Sequence, residues 1–150
     1  MGKPNIIAID GTAASGKSTI AEMLAKKLKY LYFDTGVMYR AVTLAAINRG
    51  IDLLNEPEVT ELANTVKIDI RQTKIKDGRK FDVFLDGVDV TWDIRAEAID
   101  KNVSIVSAYP GVRTAMTEQQ KEIGSKGKIV MAGRDIGTVV FPDAFWKFYL

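Results

Sequence analysis

The feature that most restricts the fold of this chain is the segment GTAASGKS, residues 11–18. It fits the pattern G-x-x-x-x-G-K-[ST] at every fixed position. An apolar run at residues 5–9 precedes it, and a segment with apolar residues at helical spacing follows it. A strand, a tight turn and a helix in this order direct backbone N–H groups and a helix N-terminus into one concavity, which suits phosphate.

The residue types in this loop each have a chemical reason. Gly11 lets the chain leave the strand sharply, and Gly16 tolerates a backbone conformation closed to other residues and lets the backbone approach phosphate. Lys17 supplies a charge for the β- and γ-phosphates, and Ser18 offers a hydroxyl to magnesium. The alternative is a glycine-rich turn without a ligand. The flanking strand and helix favour binding of a nucleoside triphosphate.

Composition narrows the class of protein. The chain has 150 residues with 47% apolar content, enough for one domain with a core. Its net charge of +2 argues against a dedicated nucleic-acid binder. The absence of cysteine and histidine excludes disulfides, a histidine-dependent triad and zinc bound by these residues. No apolar stretch is long enough for a signal peptide or membrane span. We therefore expect a cytoplasmic protein without nucleic-acid or membrane partners. A monomer is our expectation for its oligomeric state, which the sequence itself does not determine.

The apolar patterns along the chain predict an α/β fold in the order βαβα, an antiparallel insertion, then αββ. We expect a P-loop-like parallel sheet flanked by helices, with an inserted subdomain that contains a small meander at about residues 66–91. The core is assigned to residues 1–34 and 125–150, and the inserted region to residues 35–124. The predicted strands lie at residues 5–9, 30–33, 128–132 and 145–150. The first predicted helix follows the P-loop and has an apolar face formed by Ile20, Met23, Leu24 and Leu28. Further helices are predicted at 37–47, 57–63, 95–108 and 112–123.

The last predicted strand, "FWKFYL", runs to the final residue with no turn after it. A strand of this type in an α/β fold usually leads into a helix. We therefore expect that a C-terminal portion of the protein is missing from this sequence.

A second informative segment is "YFDTGVMYRA", residues 32–41. Asp34 ends a strand that we expect to lie next to the P-loop strand, at the edge where α/β sheets bind ligands. It is placed to hold magnesium, directly or through water, or to orient Ser18. Thr35 makes a natural helix entry. Arg40 follows on a mostly apolar segment, where a guanidinium can grip phosphate bidentately. The alternative for Arg40 is a solvated helix residue.

Two further segments carry polar groups in apolar surroundings. Arg134 and Asp135 follow the buried strand 128–132 at the same predicted edge, and a local salt bridge is the alternative. Ser104 and Arg113 lie on otherwise apolar helices, where a capping hydroxyl and a surface arginine are the alternatives.

These segments argue against some classes of P-loop protein and resemble the sequence of one particular family. We find neither the N-K-x-D nor the D-x-x-G motif of GTPases, nor the acidic pair of motor ATPases. The segments "DTGVMYR" and "GRDIGTVVFPDA", with the P-loop and the meander, resemble bacterial cytidylate kinases of the nucleoside monophosphate kinase family. The resemblance covers essentially all 150 residues.

The resemblance implies a P-loop core, a monophosphate-binding region and a mobile lid. It also implies transfer of phosphate from ATP to CMP or dCMP with Mg²⁺. In the family an arginine-rich lid follows the final strand, so no lid arginine can be named here. Matched to the family, the ATP-binding residues are Gly11, Thr12, Ala13, Ala14, Ser15, Gly16, Lys17, Ser18 and Thr19. The CMP-binding residues are Thr35, Arg40, Ser104, Arg113, Arg134 and Asp135.

Within these sets the resemblance assigns distinct roles. Lys17, Arg40 and Arg134 are the catalytic residues, with both arginines on the CMP phosphate. Ser104, Arg113 and Asp135 read cytosine, whose N4 amino group donates and whose O2 and N3 accept hydrogen bonds.

Two rival functions stay open. One is another small-molecule kinase, such as a shikimate-kinase-like enzyme, although those carry a D-x-D element where this chain has Asp34-Thr35-Gly36. The other is a nucleotide-binding module without turnover. A structural role without any nucleotide is the remaining alternative.

Overall fold

The architecture is taken from a computed structural model, which describes residues 3–12 and 14–150. The α-helices within these ranges are α1 (Lys17–Leu28), α2 (Gly36–Asn48), α3 (Glu56–Thr65), α4 (Glu97–Ser107) and α5 (Pro110–Gly124), and short 3-10 and π-helical segments lie at Asp93–Arg95 and Ile136–Val140. The strands there are β1 (Lys3–Asp10), β2 (Leu31–Asp34), β3 (Ile68–Arg71), β4 (Asp82–Leu85), β5 (Val88–Asp89), β6 (Ile129–Gly133) and β7 (Ala144–Tyr149). None of the helices in this described part combines the length and apolar character that a membrane crossing requires.

The chain divides into two compact units. The first contains residues 1–35, 71–81 and 120–150, and the second contains residues 36–70 and 82–119. The segment 71–81 therefore belongs with the first unit, although it lies inside the region that the sequence assigns to the insertion. The predicted division into a core and a monophosphate-binding region stays a prediction.

The first unit is built on a parallel sheet with the strand order β2-β6-β1-β7. All five residues of β6 are buried, as expected for an apolar strand with helices or loops on both faces. The predicted α/β class, with a parallel sheet flanked by helices and a small antiparallel sheet, is confirmed.

The position of β2 corrects one prediction. We expected Asp34 to end a strand next to the P-loop strand, but β6 lies between β2 and β1. Asp34 pairs in register with Ala132, while Asp10 of β1 pairs with Gly133. The reason is topological, because the chain returns from the second unit and inserts β6 between the first two strands. Asp34 is thus two strand spacings, about 10 Å, from the end of β1.

Helix α1 buries a different face from the one predicted. Its buried residues are Lys17, Ala21 and Ala25, whereas Ile20 and Met23 are exposed. Small alanine side chains let a helix approach a sheet closely, so the small residues rather than the large ones define the buried stripe. The 3.6-residue period was sufficient to predict the helix, but apolar size was a poor guide to its orientation.

Strand β7 forms the edge of the sheet and confirms the last predicted strand. It pairs with β1, and its aromatic side chains Phe145, Trp146, Phe148 and Tyr149 are exposed. The expectation of further chain beyond Leu150 stays a prediction.

The second unit combines α2, α3, α4 and most of α5 with the strands of the antiparallel meander. Helix α2 packs against α3 and α4, and Gly50 ends its helical segment with a positive φ of 67°. Asn55 caps α3 by accepting a hydrogen bond from the Glu58 N–H at 3.2 Å. Strands β3, β4 and β5 form a three-stranded sheet, so the predicted meander is confirmed.

Candidate nucleotide-binding site

The loop between β1 and α1 is shaped around Lys17. The Lys17 Nζ donates to the carbonyl oxygens of Gly11, at 3.0 Å, and Thr12, at 3.1 Å. Lys17 is only 7% exposed, so its ammonium group lies in a largely desolvated position under the loop. Gly16 has a φ of 81°, in the left-handed region where a side chain would be strained. The loop therefore holds a buried positive charge in a backbone conformation that requires glycine.

The N-terminus of α1 is available to an anion. Its N-cap residue, Gly16, makes no side-chain cap, and its first turn contains no acidic residue. The first N–H groups of the helix and its positive dipole end thus favour a bound negative group. Ser18 and Thr19 lie in this same turn, and the hydroxyl of Ser15 donates to the Thr12 carbonyl at 2.8 Å. The predicted site residue Ala13 lies outside the described residues.

A buried carboxylate, which the sequence analysis missed, joins this loop to the segment after β6. Asp10 is 6% exposed, and its two oxygens accept hydrogen bonds from the backbone N–H groups of Ile136 and Gly137, each at 2.8 Å. The Gly11 N–H in turn donates to the Gly133 carbonyl at 3.1 Å. The signal that could have revealed Asp10 is a charged residue that ends an apolar strand immediately before the glycine-rich loop.

Two segments that the sequence singled out lie against each other in the first unit. The Thr35 N–H donates to the Ala132 carbonyl at 3.0 Å, and Thr35 is buried. A Cβ on Gly133 would lie 2.9 Å from the Thr35 Oγ1, so a side chain at that position would displace the threonine. Arg134 and Asp135 follow directly, the first exposed and the second half-buried. The structure thus brings Thr35 to the segment that carries both residues.

The predicted magnesium ligands are hard oxygen donors. Ser18 and Asp34 offer a hydroxyl and a carboxylate, the kind of ligand that Mg²⁺ prefers in proteins. Among residues 3–12 and 14–150, no group of three or more acidic, histidine or cysteine side chains could hold a metal ion. Mg²⁺ commonly keeps several waters and takes phosphate oxygens from its nucleotide, so a hydroxyl and a carboxylate are compatible with a nucleotide-bound ion.

Arg40 is tethered within the second unit. Its Nη1 donates to Asp100 Oδ1 at 2.5 Å and to the Ile94 carbonyl at 3.1 Å. The arginine side chain is 24% exposed and that of Asp100 is 55% exposed. The guanidinium is therefore held by two acceptors, and its role in binding stays a prediction.

Arg113 is also oriented by neighbours that the sequence analysis did not identify. Its guanidinium carbon lies 5.7 Å from the ring centre of the buried Tyr39, and its Nη1 donates to the Ser107 carbonyl at 3.2 Å. An arginine on an aromatic face is held by electrostatic attraction to the ring. Ser104 is exposed on α4, one helical turn after Asp100.

The sheet, the loop and the buried lysine define the first unit as a nucleotide-binding P-loop fold. Comparison with known proteins then identifies the family. A family model described as "Cytidylate kinase" matches residues 7–150. The chain belongs to the cytidylate kinase family, and the resemblance inferred from its motifs is confirmed.

Individual relatives support the same assignment. The cytidylate kinase of Chloroflexus aggregans is 52% identical over 147 residues, which cover 98% of this chain and 64% of that protein. Those of Roseiflexus castenholzii and Bacillus subtilis are 48% and 47% identical, each covering 100% of this chain and 65% of the relative. The chain thus spans just under two thirds of the length of these curated relatives.

Proposed function

We propose that the protein carrying this chain transfers the γ-phosphate of ATP to CMP or dCMP, giving ADP and CDP or dCDP. The observation that carries the proposal is the buried Lys17, held under a loop that leads into an uncapped helix N-terminus. The family to which the chain belongs supports CMP as the acceptor. The site residues below keep the roles that the resemblance implies.

ATP binds along residues 11–19, with its phosphates against the loop amides and the N-terminus of α1. Phosphoryl transfer depends on positioning and on neutralising charge more than on covalent chemistry. Lys17 contributes a positive charge at the β- and γ-phosphates, where charge changes during transfer. Ser18, and Asp34 directly or through water, would hold the Mg²⁺ that accompanies ATP. When bound, that ion neutralises phosphate charge.

CMP is held by a phosphate grip and a base-reading set. Arg40 and Arg134 bind the CMP phosphate, Thr35 also contacts CMP, and Ser104, Arg113 and Asp135 hydrogen-bond to cytosine. A CMP phosphate oxygen attacks the γ-phosphorus as the bond to the ADP oxygen breaks, so ADP leaves with the released electron pair. No protein nucleophile is needed, in keeping with a sequence that has no cysteine or histidine. We further propose that the protein is cytoplasmic and acts as a monomer.

The substrate assignment is tested with the full-length gene product, ATP and Mg²⁺, by measuring ADP release with CMP, dCMP, UMP, AMP, GMP and shikimate in turn. The expected result is ADP release that depends on CMP or dCMP and is at least about tenfold slower with the other acceptors. Preference for shikimate would instead favour the rival kinase. CMP binding in calorimetry without CDP formation would favour a nucleotide-binding module.

Substitution of Asp135 tests the base-reading role. Asp135→Ala is expected to lower the ratio of kcat/KM for CMP to that for UMP by about 10- to 100-fold, the value of a charged hydrogen bond to the base. The KM for ATP should stay within about twofold, because the P-loop is unchanged. The matched control is Asp143→Ala, which removes an exposed carboxylate from the same segment between β6 and β7. Unchanged selectivity between CMP and UMP in competition assays would contradict the role.

A further inference from the structure

The guanidinium of Arg40 is held by one of its three nitrogens. Both acceptors, Asp100 Oδ1 and the Ile94 carbonyl, bind Nη1. Among residues 3–12 and 14–150, none accepts a hydrogen bond from its Nε or Nη2. These two nitrogens form one edge of the planar group, and their parallel N–H bonds match two oxygens of a phosphate. The tether therefore leaves a complete bidentate edge available.

The two acceptors lie on a segment that the core fixes. Ile94 belongs to a single 3-10 turn, Asp93–Arg95, and is fully buried. Asp100 lies in the first turn of α4, which is anchored by the buried Ile99 and Val106. The helix dipole stabilises a carboxylate in a first turn. Asp100 is thus a negative group on a rigid support, pointed at Arg40.

The ion pair between Arg40 and Asp100 contributes little to the stability of the fold. Asp100 is more than half exposed, and exposed ion pairs contribute about 0–1 kcal/mol because solvent screens them. A long arginine side chain loses considerable rotamer freedom when it is held in one geometry. If the tether has already fixed the guanidinium, less of that entropy is lost when a ligand binds.

We propose that Asp100 is a positioning residue for the acceptor nucleotide: it holds Arg40 by Nη1 so that the Nε–Nη2 edge meets the phosphate monoester of CMP. This inference rests on the proposed function, in which Arg40 binds that phosphate. It adds a residue outside the predicted site, on the helix that also carries Ser104.

The test compares Asp100→Ala and Asp100→Asn with wild type and Arg40→Ala in the full-length protein. Glu97→Gln is the control, since Glu97 is an exposed carboxylate on the same helix, paired with Lys101 at 3.1 Å. Calorimetry gives the Kd for CMP and for cytidine, which has the same base and sugar but no phosphate. Steady-state kinetics give KM for CMP, KM for ATP and kcat.

Asp100→Ala is expected to raise the Kd and KM for CMP by about 5- to 20-fold. This is less than the loss of a whole charged hydrogen bond, because Arg40 keeps its charge and its contact with the Ile94 carbonyl. Cytidine binding, KM for ATP and the melting temperature should match wild type, because only the phosphate contact is affected. Asp100→Asn keeps an acceptor oxygen and should recover most of the CMP affinity. Glu97→Gln should behave like wild type.

Three outcomes would overturn the inference. Unchanged CMP affinity in Asp100→Ala would make the pair a surface ion pair without a role. Tighter CMP binding would mean that Asp100 competes with phosphate for Arg40. Equal losses for CMP and cytidine would mean that α4 itself is disturbed.

The proposed function and this inference fail in distinguishable ways. If wild type neither binds nor phosphorylates CMP, the proposed function is wrong and the role of Asp100 with it. If wild type is active and Arg40→Ala loses CMP affinity, the proposed function stands, and the Asp100 variants alone decide whether Asp100 positions the arginine.

Discussion

Lys17→Ala is expected to lower kcat/KM for CMP phosphorylation by about 10³-fold or more. The removed ammonium is buried and lies under the loop that is proposed to hold the ATP phosphates. A preorganised charge in a desolvated site is worth far more than the same charge in water, and loss of a single such donor typically costs 10²–10³ in rate. The measurement is initial-rate kinetics of the full-length protein, with circular dichroism to follow the fold.

The matched control is Lys27→Ala, which removes an exposed lysine from the last turn of the same helix. It should leave kcat/KM within about twofold of wild type, since exposed charges contribute little. Near-normal turnover by a folded Lys17→Ala protein would contradict the assignment of this loop as the ATP site.

Asp10→Ala is expected to have the largest effect on stability, a loss of about 2–5 kcal/mol in the free energy of unfolding. It leaves the Ile136 and Gly137 N–H groups without the two oxygens that accept from them, in a position almost closed to water. Each charged hydrogen bond contributes about 1.5–3 kcal/mol, and a buried donor without an acceptor adds a desolvation cost. Urea or thermal unfolding measures the loss.

Asp10→Asn separates charge from shape at this position. Its amide has one oxygen for two N–H donors, and its NH₂ group faces a donor, so we expect it to be destabilised nearly as much as the alanine variant. Glu122→Gln, an exposed carboxylate in the same unit, should change stability by less than about 0.5 kcal/mol. If Asp10→Asn unfolds at the wild-type urea concentration, the carboxylate charge and the second hydrogen bond contribute no net stability, and this explanation of the loop is wrong.

The parts of the fold that local patterns determine were predictable. The P-loop, the helix that begins near Pro57 and the meander each depend on residues close together in sequence. The strand order was not, because the pairing of β6 with both β1 and β2 joins segments about one hundred residues apart. That is why the sequence placed Asp34 one strand too close to the loop.

The residues of the candidate site show the same difference between local and long-range determinants. Lys17 was predictable because its role follows from a motif of eight consecutive residues. Asp10 and Asp100 were not, since their partners lie 126 and 60 residues away in the chain. Neither the charge nor the position of Asp100 distinguishes it in sequence from the exposed Glu97 on the same helix. Only the contact with Arg40 does so.

The most direct test of the central claim follows the transferred phosphate itself. The full-length protein is incubated with CMP, Mg²⁺ and ATP labelled at the γ-phosphate, and the products are separated by chromatography, with Lys17→Ala as the blank. Phosphoryl transfer predicts that the label appears in CDP in step with ADP formation, and that the variant forms almost none. Label found only in inorganic phosphate, or in CDP at equal rates in both proteins, would contradict this mechanism.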